Sequence, residues 1–347
     1  MVADGARRAF IGSFTAAGGP GIVTAAVAPD GGLTALSAVD GLPDPSYLAL
    51  AADGRTLYAV SETDEGAVAA LRVAGDRLEP AGGPVPVAAS GPTHLGLFDG
   101  HLLTANYGSG SVTAVPVRPD GTLSRSASGV FEHSGSGPHP QRQQGPHTHQ
   151  VQPDPSGRWA VAVDLGTDSV LVCTLTDGTP VLHREIALRP GSGPRHLAFH
   201  PDGRHAYVLN ELSPTLLVCR WDADGGVLQP LTEVPVLPGA PAGDAYPSGI
   251  AVSPDGRRLW TATRGEDVLS VLALDAPSGG GRTQPRLLAT VPCGGRWPRD
   301  LSEANGVLYV ANERSGDVTW FATDPDTGLP QRGGSLPVTA ASCLVLR

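Results

Sequence analysis

The chain has 347 residues, a formal net charge of −10 and no lysine, so all 24 of its basic side chains are arginines. An acidic chain without a basic tract is poorly suited to sequence-independent nucleic-acid binding, and the missing lysine excludes Schiff-base chemistry and a phosphate-binding P-loop. No apolar run is long enough to span a bilayer, and the N-terminal MVADGARR lacks a secretory core.

Taken in chain order, one phrase recurs: a short apolar strand closing on a polar pair. It stands at 9–14 (AFIGSF), 57–62 (LYAVSE), 102–107 (LLTANY), 159–164 (WAVAVD), 206–211 (AYVLNE), 259–264 (LWTATR) and 308–313 (LYVANE). A period of about 50 residues is that of propeller blades or a comparable repeat array. A shorter apolar strand precedes the phrase, as at 45–50, 92–97, 194–199 and 247–252. The two are joined by pairs such as Asp53-Gly54, Asp99-Gly100, Asp202-Gly203 and Asn305-Gly306, which accept positive φ in hairpin turns. A third strand follows, for example 169–175 or 215–221, and a second turn leads to a weaker outer strand. Abundant glycine (46) and proline (33) suit many short strands and tight turns.

The expectation is an all-β chain folded as one domain over 1–347: a seven-bladed β-propeller of four-stranded antiparallel blades. The chain begins on the second strand of a blade and ends on 342–346, which reads as a spare first strand. Pairing of the N- and C-terminal strands would therefore close the ring. Cys173, Cys219, Cys293 and Cys343 are scattered, with no CxxC pair. Neither a disulfide framework nor a zinc knuckle is indicated, and a cytoplasmic protein is expected.

A ring delivers corresponding residues of each repeat to one mouth. The ends of second strands supply Phe14, Glu62, Tyr107, Asp164, Glu211, Arg264 and Glu313, with Asn106 and Asn210 one residue earlier. The starts of first strands supply Tyr47, His94, His149, Arg195, His196, Ser248, Arg299 and Asp300. His149 has the intrinsic pKa to take a proton from water near neutrality. Its position matches His94 and His196 in neighbouring repeats, which equally suits a shared packing role. Glu211 is a base, a water-orienting carboxylate or the ion-pair partner of Arg195. Arg195 and Arg264 could stabilise an oxyanion or grip an anion, or else bridge blades. Arg142, in a Gly/Pro/Gln loop, could reach over the mouth; Arg299 repeats the Pro-Arg pattern of Arg195. Asp164 turns the chain or holds a histidine tautomer. A metal on His147 and His149 would need further ligands, and only His139 is near, so no metal or other cofactor is expected. No nucleophile elbow is present, which argues against an acyl-enzyme.

These residues resemble the seven-bladed propeller lactonases, including the cycloisomerase-type 6-phosphogluconolactonases, along essentially the whole chain. The sharpest pieces are 137–143 (GPHPQRQ) leading into 146–151 (PHTHQV), 164–168 (DLGTD), and 193–201 (GPRHLAFHP) followed by Asn210-Glu211-Leu212. Asn106-Tyr107, Pro298-Arg299 and Ala311-Asn312 also fit, while Thr263 stands where the family has asparagine. The related carboxymuconate-lactonizing enzymes carry a His, Arg, Glu, Arg set that falls on His149, Arg195, Glu211 and Arg264. The resemblance implies a metal-independent hydrolase of an anionic sugar lactone, 6-phosphogluconolactone first among them. Those four residues would then be catalytic, and Arg142, His147, Arg299, Asn106, Asp164, Asn210, His94 and His196 would bind substrate. The alternatives are lactonization of an unsaturated dicarboxylate and a non-catalytic binding propeller. The expected partner is a small anionic lactone, with neither nucleic acid nor membrane.

Overall fold

Apolar runs cut by Asp-Gly and Asn-Gly pairs fold into seven antiparallel sheets arranged as the blades of a propeller. The structure is a computed structural model and describes residues 7–274 and 284–347; residues 1–6, within the stretch read as lacking a secretory core, lie outside the described residues. A representative blade runs from the centre outward through Thr148–Pro153, Ala160–Asp164, Ser169–Thr176 and Thr179–Ala187. Six sheets have four strands; in the blade of Leu48–Leu50 the outermost strand is broken into Arg77–Pro80 and Val85–Pro86, both paired to Ala67–Ala74. The break falls at the Ala81-Gly82-Gly83 stretch, where Gly82 has φ 104°, a backbone that glycine adopts freely.

The ring closes as the phase of its ends requires. Ala341–Leu346 pairs antiparallel with Arg8–Ser13, bringing Ile11 opposite Leu344. Ile11, Leu344, Val307 and Tyr309 share one buried cluster, so the closing blade packs on its neighbour as continuously as the others do. Equivalent clusters separate other blades, for example Val163, Val208 and Leu217. Cys173 and Cys219 lie in these layers, and burial pushes their thiols up to about 12. They are packing residues.

One detail of register positions the mouth. In six blades the pairing between innermost and second strand shifts at the same end, leaving an unpaired residue. The shifts fall at Thr93, His149, Arg195, the Ser248-Gly249 pair, Arg299 and Ser342. A bulge rotates its extra side chain out of the pleat and re-aims it. Here five of these bulged residues, Thr93, His149, Arg195, Arg299 and Ser342, line one central cavity. With Tyr47, Glu62, His196 and Asp300 among its other walls, it offers about 10 Å³ to the centre of a water molecule, room for a single one.

Candidate active site

The second strand His205–Asn210 ends one residue before Glu211, whose amide N–H bonds to the Gly193 carbonyl at 2.7 Å. That bond fixes the backbone and turns the carboxylate inward, where it is 2% exposed. Three guanidiniums from three parts of the chain meet it. Arg195 Nε stands 3.1 Å and Arg264 Nη2 2.8 Å from Oε2, and Arg142 Nη2 donates to Oε1 at 2.7 Å. Burial alone would raise the Glu211 carboxyl, but Arg264, Arg195 and Arg142 outweigh it and hold its pKa at about 2. Both carboxylate oxygens are therefore occupied by cations, which makes Glu211 an organiser of arginines and a poor proton acceptor.

Accessibility grades these arginines. The side chains of Arg142 and Arg299 are 33% and 20% exposed, those of Arg264 and Arg195 only 8% and 3%. Arg195 bonds to the Ser248 carbonyl through Nη1, and burial followed by Arg264 pushes its pKa down to about 9, so it stays charged at neutrality. Arg299 lies between Glu313 (3.1 Å) and Glu62 (3.5 Å) and over the Phe14 ring at 4.6 Å. Arg264 lies 5.6 Å from the Trp297 ring and 6.0 Å from that of Tyr246. Four guanidiniums thus face the three carboxylates of Glu62, Glu211 and Glu313.

His94, His149 and His196 form a ring-to-ring group: His196 is edge-on to His149 at 5.3 Å and to His94 at 5.7 Å. Burial first, then Arg195, holds all three imidazoles below the usual histidine range, His94 at about 3. They are neutral at pH 7. His94 also stacks on Tyr47 at 4.0 Å, and His196 Nε2 faces Arg195 Nη1 at 3.3 Å. His149 Nδ1 has no hydrogen-bond partner among the described residues.

The remaining sequence candidates separate into two groups. His147 stays beside the mouth: its ring stacks on Tyr107 at 4.5 Å and its Nδ1 meets the Tyr107 carbonyl at 2.8 Å. Asn106, Asn210 and Asp164 turn into their own blades. Asn106 Nδ2 donates to Ser111 and Thr113 at 3.1 and 3.0 Å, and its Oδ1 accepts from Thr104 at 2.9 Å. Asn210 bonds to Thr215 at 3.0 Å. Asp164 accepts from the amides of His147 and Thr167, both at 2.9 Å, and from Thr148 Oγ1 at 2.9 Å, with His133 Nε2 at 3.2 Å. It turns the chain, and the histidine ring at its side is His133, not His147 or His149. As strand-end residues these three were expected at the mouth; the pleat instead aims Asn106 and Asn210 at the third strand of the same sheet, and Asp164 at the start of the innermost strand and the following turn.

Sequence reasoning missed Trp297 and Gln143 as contributors, and it placed Tyr107 at the mouth without giving it a role. Trp297 has φ 64°, a conformation that costs a bulky residue about 1–3 kcal/mol. It is held there by an N–H bond to Asp267 at 2.7 Å, and the signal before Pro298 gave no hint of it. Gln143 is buried and ties the loop that carries Arg142, donating to the Leu165 carbonyl at 2.8 Å and accepting from the His139 amide at 3.0 Å. His139 Nδ1 accepts from the amides of Gln141 and Arg142 at 3.3 and 3.2 Å, which ties the loop that carries Arg142.

The seven-bladed propeller is also the fold of the proteins that this chain is similar to. Residues 8–346 match the family described as "Lactonase, 7-bladed beta-propeller", and the chain belongs to it. It is 32% identical over 298 residues to a protein named 6-phosphogluconolactonase from Bacillus subtilis, covering 83% of this chain and 82% of that one. A protein of the same name from Formosa agariphila is 28% identical over 319 residues, covering 86% of each chain. Among solved structures, the periplasmic gluconolactonase of Pseudomonas aeruginosa superimposes with a TM-score of 0.91 at 31% identity, covering 99% of both chains. The protein is a lactonase. Among the described residues no helix is long and apolar enough to cross a membrane.

Proposed function

We propose that the protein hydrolyses an anionic sugar lactone, 6-phosphogluconolactone or a close analogue, without a metal. The single observation that supports this best is the cluster of three arginines on Glu211 beside the neutral His149. Arg142 and Arg299, the more accessible pair, would hold the substrate's phosphate or carboxylate, for which the planar guanidinium is suited. His149 would take a proton from water as the water oxygen bonds to the lactone carbonyl carbon. The carbonyl electron pair moves onto oxygen, and Arg264, with Arg195 beneath it, would stabilise that oxyanion. The tetrahedral centre then collapses, the ring C–O bond breaks, and the hydroxy acid leaves.

The low basicity of His149 fits this order of events. Burial and three neighbouring arginines keep the free imidazole unprotonated, so it is always in the acceptor form at neutral pH. A bound anion beside those arginines offsets their field and raises the imidazole's basicity when substrate is present. Glu211 would act by fixing the guanidiniums. The four buried, free cysteines support a reducing compartment such as the cytoplasm.

The test is acid release from 6-phosphogluconolactone and from uncharged glucono-δ-lactone, each in excess EDTA. The expected result is full activity in EDTA and a kcat/KM at least tenfold higher for the phosphorylated lactone. Loss of activity in EDTA, or no catalysis of either lactone, would overturn the proposal.

A further inference from the structure

Water attack accounts for one half of lactone opening; the ring oxygen that leaves also needs a proton. The structure carries a donor for it. Tyr107 follows the second strand His101–Asn106, and its phenol oxygen receives two bonds from Arg142, from Nε at 3.3 Å and Nη2 at 3.2 Å. A guanidinium has donors only, so the phenol oxygen is the acceptor in both. The phenol's own proton is left without an acceptor among the described residues. The ring is held on two sides, stacked on His147 at 4.5 Å and edge-on to His149 at 5.6 Å.

We propose that Tyr107 is the general acid of the reaction, giving its proton to the ring oxygen as the C–O bond breaks. This rests on the lactonase reading above. The breaking bond's electron pair stays on the ring oxygen, which takes the Tyr107 proton and becomes the free hydroxyl. The phenolate left behind keeps both N–H bonds from Arg142, which stabilise its charge. The proton removed from water by His149 returns to Tyr107, directly or through solvent, so the cycle consumes one lactone and one water. Burial, with Arg142 opposing it, holds the resting phenol above its usual range, so Tyr107 is protonated at neutral pH. An alkoxide leaving group is more basic still and pulls the proton across.

The Tyr107→Phe variant keeps the ring contacts and removes only the hydroxyl. Two substrates with the same anion separate an acid from an anchor for Arg142: 6-phosphogluconolactone, and its analogue with sulfur as the ring atom. A thiol of pKa near 8.5 departs as thiolate without a proton donor. The expected result is a fall in kcat on the oxygen lactone of at least about 100-fold, the scale of general acid catalysis. The fall on the thiolactone should be at least tenfold smaller. Equal losses on both, or none on the oxygen lactone, would overturn the role of Tyr107 and leave the lactonase reading intact. If the wild-type protein opens neither ring, both fall together.

Discussion

Glu211 Oε2 lies 2.8 Å from Arg264 Nη2, a contact between adjacent blades in which both partners are buried. The same oxygen is 3.1 Å from Arg195, so one carboxylate compensates two charges that water scarcely reaches. Removing one partner of a buried pair costs about 3–5 kcal/mol, because the other charge is left stranded. Glu211→Gln keeps the shape and removes the charge. Chemical denaturation should show a loss of that order, together with a fall in activity of at least about 100-fold. A variant of wild-type stability would show that the arginines do not depend on Glu211.

The graded exposure of the arginines predicts a split in kinetic effect. Arg299→Gln removes the proposed, partly exposed grip on the substrate's anion that has no part in the Tyr107 proton transfer, and should raise KM at least tenfold, with a smaller change in kcat. Arg264→Gln removes the proposed oxyanion donor and should lower kcat on the order of 100-fold. Steady-state kinetics of the two variants on the same lactone check this, and the reverse pattern would exchange their roles.

Stability should fall as acid is added well before carboxylates titrate. His94 has its pKa lowered to about 3, whereas in the unfolded chain it titrates near 6.5. Between those values the unfolded state binds a proton that the folded state refuses, so stability drops as pH falls through that window. His149 and His196 act in the same direction. Glu211 adds a second, more acidic contribution, present above the ordinary carboxylate range and lost as pH falls toward about 2. Melting temperature measured from pH 7 to pH 4 should decline steeply. His94→Phe, which keeps an aromatic ring against Tyr47, should flatten the slope.

Ring closure gives a fourth prediction. The strand Ala341–Leu346 is the innermost strand of the closing blade and buries Cys343 and Leu344 completely or nearly so. Truncation after Thr339 removes it and exposes Ile11 and Phe10 of the strand that loses its partner. Net stability of a domain is only about 5–15 kcal/mol. The truncated chain should show no cooperative thermal transition; a wild-type transition would contradict non-covalent closure.

The repeat made the fold legible, because the polar pair marks where each second strand reaches the mouth. Glu211, Arg264 and Glu313 could be placed at the mouth for that reason. The side-chain directions were less legible. Asn106 and Asp164 are the last residues of their second strands and turn into the blade, whereas Glu211 lies one residue beyond the last residue of its strand, Asn210, an offset that aligning Asp164 with Glu211 in sequence conceals. Arg195 and His196 are adjacent and should face opposite ways in a regular strand, yet both line the central cavity. The bulge at Arg195 resolves this, and a bulge depends on pairing between strands, which a single strand's pattern does not reveal. Trp297 in a left-handed backbone is likewise set by its bond to Asp267, thirty residues away.

The most direct test of the account is the rate of 6-phosphogluconolactone hydrolysis by His149→Asn, measured in EDTA beside the wild type. Loss of the imidazole proposed to activate water should lower kcat by about 100-fold or more. A His149→Asn protein that turns over the lactone at the wild-type rate would contradict it.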